Sequence, residues 1–322
     1  MNWQSGLKGG RIANQHINRI RHMPVYRSSL DIQSDSFAEN RAAMLGLVET
    51  LRDLENRAAV KSEERRPRFE ERGQLTPRER LSQLLDPGLP YLALYNMAGY
   101  LADNSDPETS VPGASMITGI GFVSGVRRLV FVDDSGINAG ASTPRSVDKA
   151  LGCLDIALKQ KLPFIHLVES AGANLMDYTV ELWAHGGGMF HGLAKLSAAG
   201  VPVITVLHGP STAGGAYQPG MSDYVIGVRK NGMAALAGAA LVQAATGEES
   251  DDRTLGGAEM HASVSGLVEY LAEDDAHGIA IARDIVARLD WNKDCAAPPA
   301  RAFAEPVSSA DEIAGLAPVD YR

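Results

Sequence analysis

Short apolar runs alternate with longer segments of helical periodicity through the middle of the chain. Leu162–Val168 and Val201–His208 are β-branched, apolar and of strand length, and Asp223–Val228 is a shorter run of the same kind. Pro144–Lys159, which precedes the first of them, has the pattern of a helix. Strands that alternate with helices pair in parallel, so the pattern predicts an α/β protein.

The flanking regions extend this pattern. Thr76 precedes Pro77 and lies three residues before Glu79, which predicts a capped helix start with a reciprocal capping box. Two apolar runs separated by Ser-Gly predict a β-hairpin. The further predicted elements are helices over Ser36–Arg72 and Asp274–Leu289, the hairpin strands Met116–Val123 and Arg128–Asp133, and strands at Tyr91–Met97 and Gly266–Tyr270.

Two of the predicted strands run into turns made of small residues. Val201–His208 leads to Ser211–Gly220, in which Gly214 and Gly215 have no Cβ and could bring their N–H groups to a ligand oxygen. Leu162–Val168 leads to Glu169–Asn174, a second turn of this kind. Two such turns on parallel strands could hold one thioester carbonyl, as an oxyanion hole does. Tight packing between strand and helix is the alternative explanation of the glycines.

Composition narrows the function classes. The net charge of −9 argues against general nucleic-acid binding, which needs a basic face. No apolar run approaches the ~20 residues that span a membrane. Cys153 and Cys295 lack metal-ligand spacing, and the histidines form no metal motif, so we expect no metal site. A 322-residue chain with 45% hydrophobic residues is expected to be a soluble, cytoplasmic protein with one large domain.

Three segments are expected. Residues 1–30 carry basic side chains and no acidic ones, which predicts a flexible extension or, alternatively, a transit segment that would direct the protein to the mitochondrial matrix. Residues 31–291 are expected to form the domain. Residues 292–322 are rich in Ala and Pro and have the composition of a linker.

Several ordered motifs together resemble the carboxyltransferase (β) subunit of biotin-dependent acyl-CoA carboxylases, in particular the methylcrotonyl-CoA and geranyl-CoA branch. The resemblance covers the N-terminal half of such a subunit. The motifs are Arg72–Arg80, Ile117–Gly121, Glu169–Asn174, Thr212–Tyr217, Ala244–Glu248 and Leu255–His261.

The resemblance implies a crotonase-like fold, a superhelix of ββα units, that binds an acyl-CoA. It also implies transfer of a carboxyl group from carboxybiotin, on a carrier protein, to the α- or γ-carbon of the acyl-CoA through an enolate. By resemblance, the catalytic main-chain positions are Gly214, Gly215 and Ala173. Substrate contacts are expected from Gly172, Ala213 and Thr212, and contacts to coenzyme A phosphates from Arg72, Arg78, Arg80 and Lys149.

The family's usual chain continues into a second crotonase-like domain that completes the biotin side of the site, whereas this sequence ends at Arg322. The expected partners are therefore a C-terminal carboxyltransferase domain or subunit and a biotin carboxylase or biotin carboxyl carrier subunit. A homo- or hetero-oligomer is expected, with no nucleic-acid or membrane partner.

Two other functions fit the same turns. The first is a biotin-independent, crotonase-type acyl-CoA decarboxylase or hydratase, which needs a side-chain acid or base near the thioester. The second is a non-catalytic half-subunit that binds acyl-CoA. The candidate acids and bases for a decarboxylase or hydratase are Glu169, Asp177, Glu181, His185 and His191. The candidates for lining an acyl pocket are Met176, Tyr178 and Trp183, and packing in the core or at an interface is the alternative role for these three residues.

Overall fold

The computed structural model describes residues 30–173, 179–291, 306 and 308–318. Contacts divide the chain into two compact units, residues 1–48 with 303–322 and residues 49–302. In the smaller unit, Phe37 is buried and the Arg41 Nε donates a hydrogen bond to the Asp311 carbonyl oxygen at 3.4 Å. The larger unit carries the sheet and the cavity described below. The domain limits expected from composition stay predictions.

One eight-stranded sheet organises the larger unit. The strand order is β1-β2-β3-β4-β5-β6-β8, and β7 pairs with β5 beyond the end of β6. The first three strands pair antiparallel and the others in parallel, as the alternation of strands and helices predicts. The strands are β1 Leu92–Ala93, β2 Met116–Val123, β3 Val126–Asp133, β4 Phe164–Ser170, β5 Val203–Thr212, β6 Tyr224–Val228, β7 Met233–Ala235 and β8 Tyr270–Ala272.

Helices cover both faces of the sheet. Ile165 and Leu167 on one face of β4 pack in a core with α3 (Pro77–Leu84) and α10 (Asp275–Arg288), and Phe164 on its other face lies in a core with α4 (Pro144–Gln160) and α5 (Val180–Ala198). Alternate strand residues point to opposite faces, so β4 serves both cores. The helices are α1 Asp35–Glu63, α2 Arg66–Glu71, α3 Pro77–Leu84, α4 Pro144–Gln160, α5 Val180–Ala198, α6 Tyr217–Gly220, α7 Ala239–Thr246, α8 Asp252–Gly256, α9 Ala258–Met260 and α10 Asp275–Arg288.

Local sequence signals fix several boundaries. The capping box before α3 is confirmed: the Thr76 Oγ1 accepts from the Glu79 N–H, and the Thr76 N–H donates to the Glu79 carboxylate at 2.9 Å. The hairpin between β2 and β3 is also confirmed. Its two turn residues, Ser124 and Gly125, both have positive φ, as a tight hairpin turn requires.

Three expectations need correction. The single helix predicted over Ser36–Arg72 is two helices, because Pro67 in the first turn of α2 lacks an N–H and cannot continue α1. The strand predicted at Tyr91–Met97 is reduced to the two residues of β1, and Tyr95 has a left-handed φ of 55°. The strand predicted at Gly266–Tyr270 lies later, at Tyr270–Ala272, because Gly266 has a left-handed φ of 76° and caps the preceding helical turn. Among the described helices, none combines the length and apolar character needed to cross a membrane.

Candidate active site

The two small-residue turns lie side by side at the carboxyl ends of β4 and β5. Ser170 and Ser211 are register partners, and the Thr212 Oγ1 donates to the Ala171 carbonyl oxygen at 3.0 Å. Gly172 has a φ of +84°, and a Cβ there would lie 2.9 Å from the Thr212 carbonyl oxygen. A side chain at position 172 would therefore push the turns apart.

Both turns open on one cavity of about 420 Å³. Gly172, Ala173, Gly214 and Gly215 all line it, so the structure brings together main-chain positions expected to form an oxyanion hole. Thr212 ends β5 and is not part of the lining. Apolar side chains make up much of the rest of the wall: Phe131, Val168, Met189, Phe190 and Leu193.

The turn after β5 begins a short helix at the cavity. A 3₁₀ helix covers Ala213–Ala216, and the first N–H groups of such a helix have no acceptor inside the helix. Ala213 enters it with a φ of 52°, a left-handed conformation that costs a residue with a Cβ of the order of 1–3 kcal/mol. Donors held in this way suit a carbonyl oxygen on which negative charge develops.

The basic residues expected to contact phosphates are placed elsewhere, and none of the four lines the cavity. The Arg80 side chain is fully buried and pairs with two carboxylates. Lys149 is buried as well, and its Nζ donates to two main-chain carbonyl oxygens. This burial argues against phosphate binding by these two residues. Arg78 pairs with Asp134 at 2.8 Å, and Arg72 is exposed, so phosphate contacts by Arg78 and Arg72 stay predictions.

A buried ionic network supports the turns from the opposite face of the sheet. The Arg80 guanidinium donates to Glu169 at 2.6 Å and to Asp275 at 2.8 Å. Asp275 also lies 2.8 Å from the His208 Nδ1, and the Gln74 Nε2 donates to the His208 carbonyl oxygen at 2.9 Å. Glu169 and His208 belong to β4 and β5 themselves. The network therefore ties the two site strands to α3 and α10.

The network sets the ionisation of its members. Burial lowers the pKa of His208 below its usual 6.5, more than the neighbouring Asp275 carboxylate raises it, so the ring is neutral at neutral pH. Burial alone would raise the pKa of Asp275, but the neighbouring His208 first, and then the charge of Arg80 and the Leu75 N–H, lower it to about 2. Asp275 therefore stays ionised opposite Arg80.

These shifts predict that acid destabilises the fold. Both groups bind protons more readily in the unfolded chain, so their contribution to stability is present at neutral pH. It is lost through His208 as the pH falls below 6.5, and through Asp275 as the pH falls from 3.8 to about 2. Urea unfolding measured from pH 7.5 to 5 should show a decreasing free energy of unfolding, and His208→Asn should flatten this slope. An equal slope in both proteins would contradict the assignment to His208.

Sequence reasoning missed several polar residues in the cavity wall. His166 and Asp133 are buried on neighbouring strands, with the His166 Nε2 3.2 Å from the Asp133 Oδ1. The Ser211 hydroxyl and the Gln218 amide nitrogen are buried without a hydrogen-bond partner among the described residues. Side chains alternate between the two faces of a strand, so the sequence could have predicted that His166 lies on the same face as Ser170. No local signal in the sequence identifies Asp133 on β3 as the neighbour of His166.

The side chains considered as acids or bases are dispersed. The Glu169 carboxylate pairs with Arg80, and Glu169 does not line the cavity. The His185 ring is half-exposed and lies 2.9 Å from Asp148. Glu181 and His191 are exposed positions on α5. Trp183 lines the cavity and is half-exposed, whereas Met176, Asp177 and Tyr178 lie outside the described residues.

The fold and the cavity define an α/β protein in which two turns of small residues, at the carboxyl ends of neighbouring parallel strands, line one cavity. The family model described as the carboxyl transferase domain matches residues 68–322. The chain is 43% identical over 297 residues to a probable biotin-dependent acyl-coenzyme A carboxylase beta2 subunit of Mycobacterium tuberculosis, covering 92% of this chain and 54% of that protein. It is 37% identical over 312 residues to a probable mitochondrial methylcrotonoyl-CoA carboxylase beta chain of Drosophila melanogaster, covering 91% and 53%.

Among solved structures, the beta subunit of geranyl-CoA carboxylase from P. aeruginosa matches with a TM-score of 0.83 and 46% identity, over 92% of this chain and 55% of that one. The protein therefore belongs to the carboxyl transferase domain family. The predicted resemblance to acyl-CoA carboxylase β-subunits and the predicted crotonase-like fold are both confirmed. The chain spans about half the length of these relatives.

Proposed function

We propose that this chain is the acyl-CoA-binding half of a biotin-dependent carboxyltransferase. The observation that carries the proposal is the pair of turns, with Gly172, Ala173, Gly214 and Gly215 facing one largely apolar cavity. An apolar cavity with a few polar groups at one end is typical of sites for small organic ligands. The cavity would take the acyl group, and the main-chain N–H groups would hold the thioester oxygen.

The chain's own residues would stabilise charge and position the substrate. Main-chain donors near Gly214 and Gly215 would bind the oxygen more strongly as the thioester becomes an enolate, which lowers the barrier to loss of the proton. The rigid network of Arg80, Glu169 and Asp275 would keep these donors in place. Phe190 and Tyr217, whose ring centroids are 4.8 Å apart, would limit the access of water to the acyl group.

In this proposal, biotin is the cofactor of a partner protein. When bound, carboxybiotin supplies the carboxyl group and a ureido nitrogen that accepts the substrate's proton. The turns on this chain would bind the thioester oxygen. The part of the relatives that this chain does not span is the proposed source of a second oxyanion hole, on the biotin side. The proposal therefore includes a C-terminal carboxyltransferase domain or subunit, a biotin-carrying subunit and assembly into an oligomer.

Reconstitution tests this proposal. The chain would be mixed with a complementary C-terminal half, a biotinylated carrier and its carboxylase, and transfer of labelled carboxyl from bicarbonate to acyl-CoA would be measured. We expect transfer that requires all components. Turnover of acyl-CoA without any biotin carrier would instead favour the decarboxylase or hydratase. Acyl-CoA binding with no turnover in the complete mixture would favour the non-catalytic half-subunit.

A further inference from the structure

The wall of the acyl cavity contains a buried polar pair, His166 and Asp133. His166 is 6% exposed and Asp133 is 3% exposed, and both line the cavity. The two side chains come from β4 and β3, which are parallel neighbours. The Phe131 ring contacts the His166 ring edge-on with 4.6 Å between centroids.

The His166 ring of this pair lacks hydrogen-bond partners among the described residues. Neither ring nitrogen of His166 forms a hydrogen bond with any residue that the structure describes, although Nε2 lies 3.2 Å from Asp133. The second Asp133 oxygen accepts from the Glu169 main-chain N–H at 3.1 Å, which fixes the carboxylate. A buried polar group without a partner costs about 1–3 kcal/mol, so such groups are generally satisfied by a ligand or water.

The position of His166 on β4 relates this pair to the thioester. His166, Val168 and Ser170 lie on one face of the strand, with Ser170 next to the turns. His166 and Ser170 are four positions apart on the strand, which places their Cα atoms roughly 13 Å from each other. An acyl chain whose carbonyl group is held at the turns would therefore pass over Val168 before it reaches the pair.

We infer that the acyl substrate carries a hydroxyl group on its acyl chain, which hydrogen-bonds to His166 and Asp133. This inference rests on the proposed acyl-CoA binding. A hydroxyl group both donates and accepts, which matches a carboxylate oxygen beside an imidazole nitrogen. A second carboxylate on the substrate would be repelled by Asp133 in this poorly solvated position. The pair would thus determine specificity, whereas the turns perform the chemistry.

Calorimetry with two matched esters tests the inference. The full chain would be titrated with octanoyl-CoA and with 8-hydroxyoctanoyl-CoA, and the same titrations would be made on His166→Phe. We expect the native protein to bind the hydroxylated ester at least about 10-fold more tightly, because an unfilled polar site rejects a ligand that lacks the hydroxyl group. In His166→Phe the preference should be much reduced, because the phenyl ring offers no hydrogen bond and only Asp133 remains as a partner.

A matched variant and the possible outcomes make the result decisive. His277→Phe changes an exposed histidine on α10 and should keep the native preference. Equal binding of both esters by the native protein, or an unchanged preference in His166→Phe, would overturn the inference and leave the proposed function intact. If neither ester binds, the proposed function itself fails, and the inference fails with it.

Discussion

Gly172→Ala is expected to lower the rate of carboxyl transfer on the order of 100-fold, comparable to the loss of one oxyanion donor. The added Cβ would lie 2.9 Å from the Thr212 carbonyl oxygen, closer than real Cβ contacts allow, so the two turns would separate. The main-chain donors on the two sides of the cavity would then no longer converge on one oxygen. The reconstituted transfer assay measures this effect, and calorimetry with an acyl-CoA measures the accompanying loss of affinity.

Gly266→Ala is the control for backbone strain. Gly266 has a φ of +76°, close to the +84° of Gly172, but a Cβ at position 266 has nothing within 4 Å. A left-handed conformation costs either alanine about 1–2 kcal/mol. Both variants should therefore lose stability in urea, Gly172→Ala more because of its added close contact, and only Gly172→Ala should lose activity. Comparable losses of activity in the two variants would show that the close approach of the turns is unimportant.

Arg80→Met is expected to lower the free energy of unfolding by about 3–5 kcal/mol, because it leaves buried carboxylates without their cation. Glu169 and Asp275, the two partners, are 2% exposed, so water cannot replace the guanidinium. The matched change is Arg288→Met. It removes an exposed pair with Asp284 on α10 and should cost less than about 1 kcal/mol. Urea unfolding of both variants at pH 7 gives the comparison.

A double variant separates charge from packing. If the loss in Arg80→Met comes from uncompensated charge, adding Glu169→Gln should restore part of the stability, because the amide is neutral. Packing alone predicts no such recovery. An Arg80→Met protein as stable as Arg288→Met would contradict the structural role assigned to the network.

The sequence predicts the central part of this fold well, for a physical reason. The apolar runs that became β4 and β5 are buried on both faces, so nearly every residue in them is hydrophobic and the signal is continuous. The small residues after each strand predict the turns, since only small side chains permit the close approach seen at Gly172. In contrast, β7 is three residues long, Met233–Ala235, and its position depends on β5. Such a strand has no pattern of its own.

The partners of the buried charged residues could not be predicted from the local sequence. Arg80 lies in a segment dense with arginine and glutamate, which is typical of solvent-exposed helix surface. Its partners, Glu169 and Asp275, are 89 and 195 positions away along the chain. The same holds for His166, whose partner Asp133 lies on a neighbouring strand. Pairing over such separations is a property of the tertiary fold, so no spacing rule could reveal it.

The change of neighbour along β5 has a consequence for how a substrate associates. Its first half pairs with β6 through Leu207, and its last residues, Pro210–Thr212, pair with β7. The segment that leads into the 3₁₀ helix is thus flanked by strands on both sides, like the interior of a sheet. A ligand arriving there meets a rigid receptor, so little conformational entropy is lost on association and the encounter rate is not slowed by loop ordering.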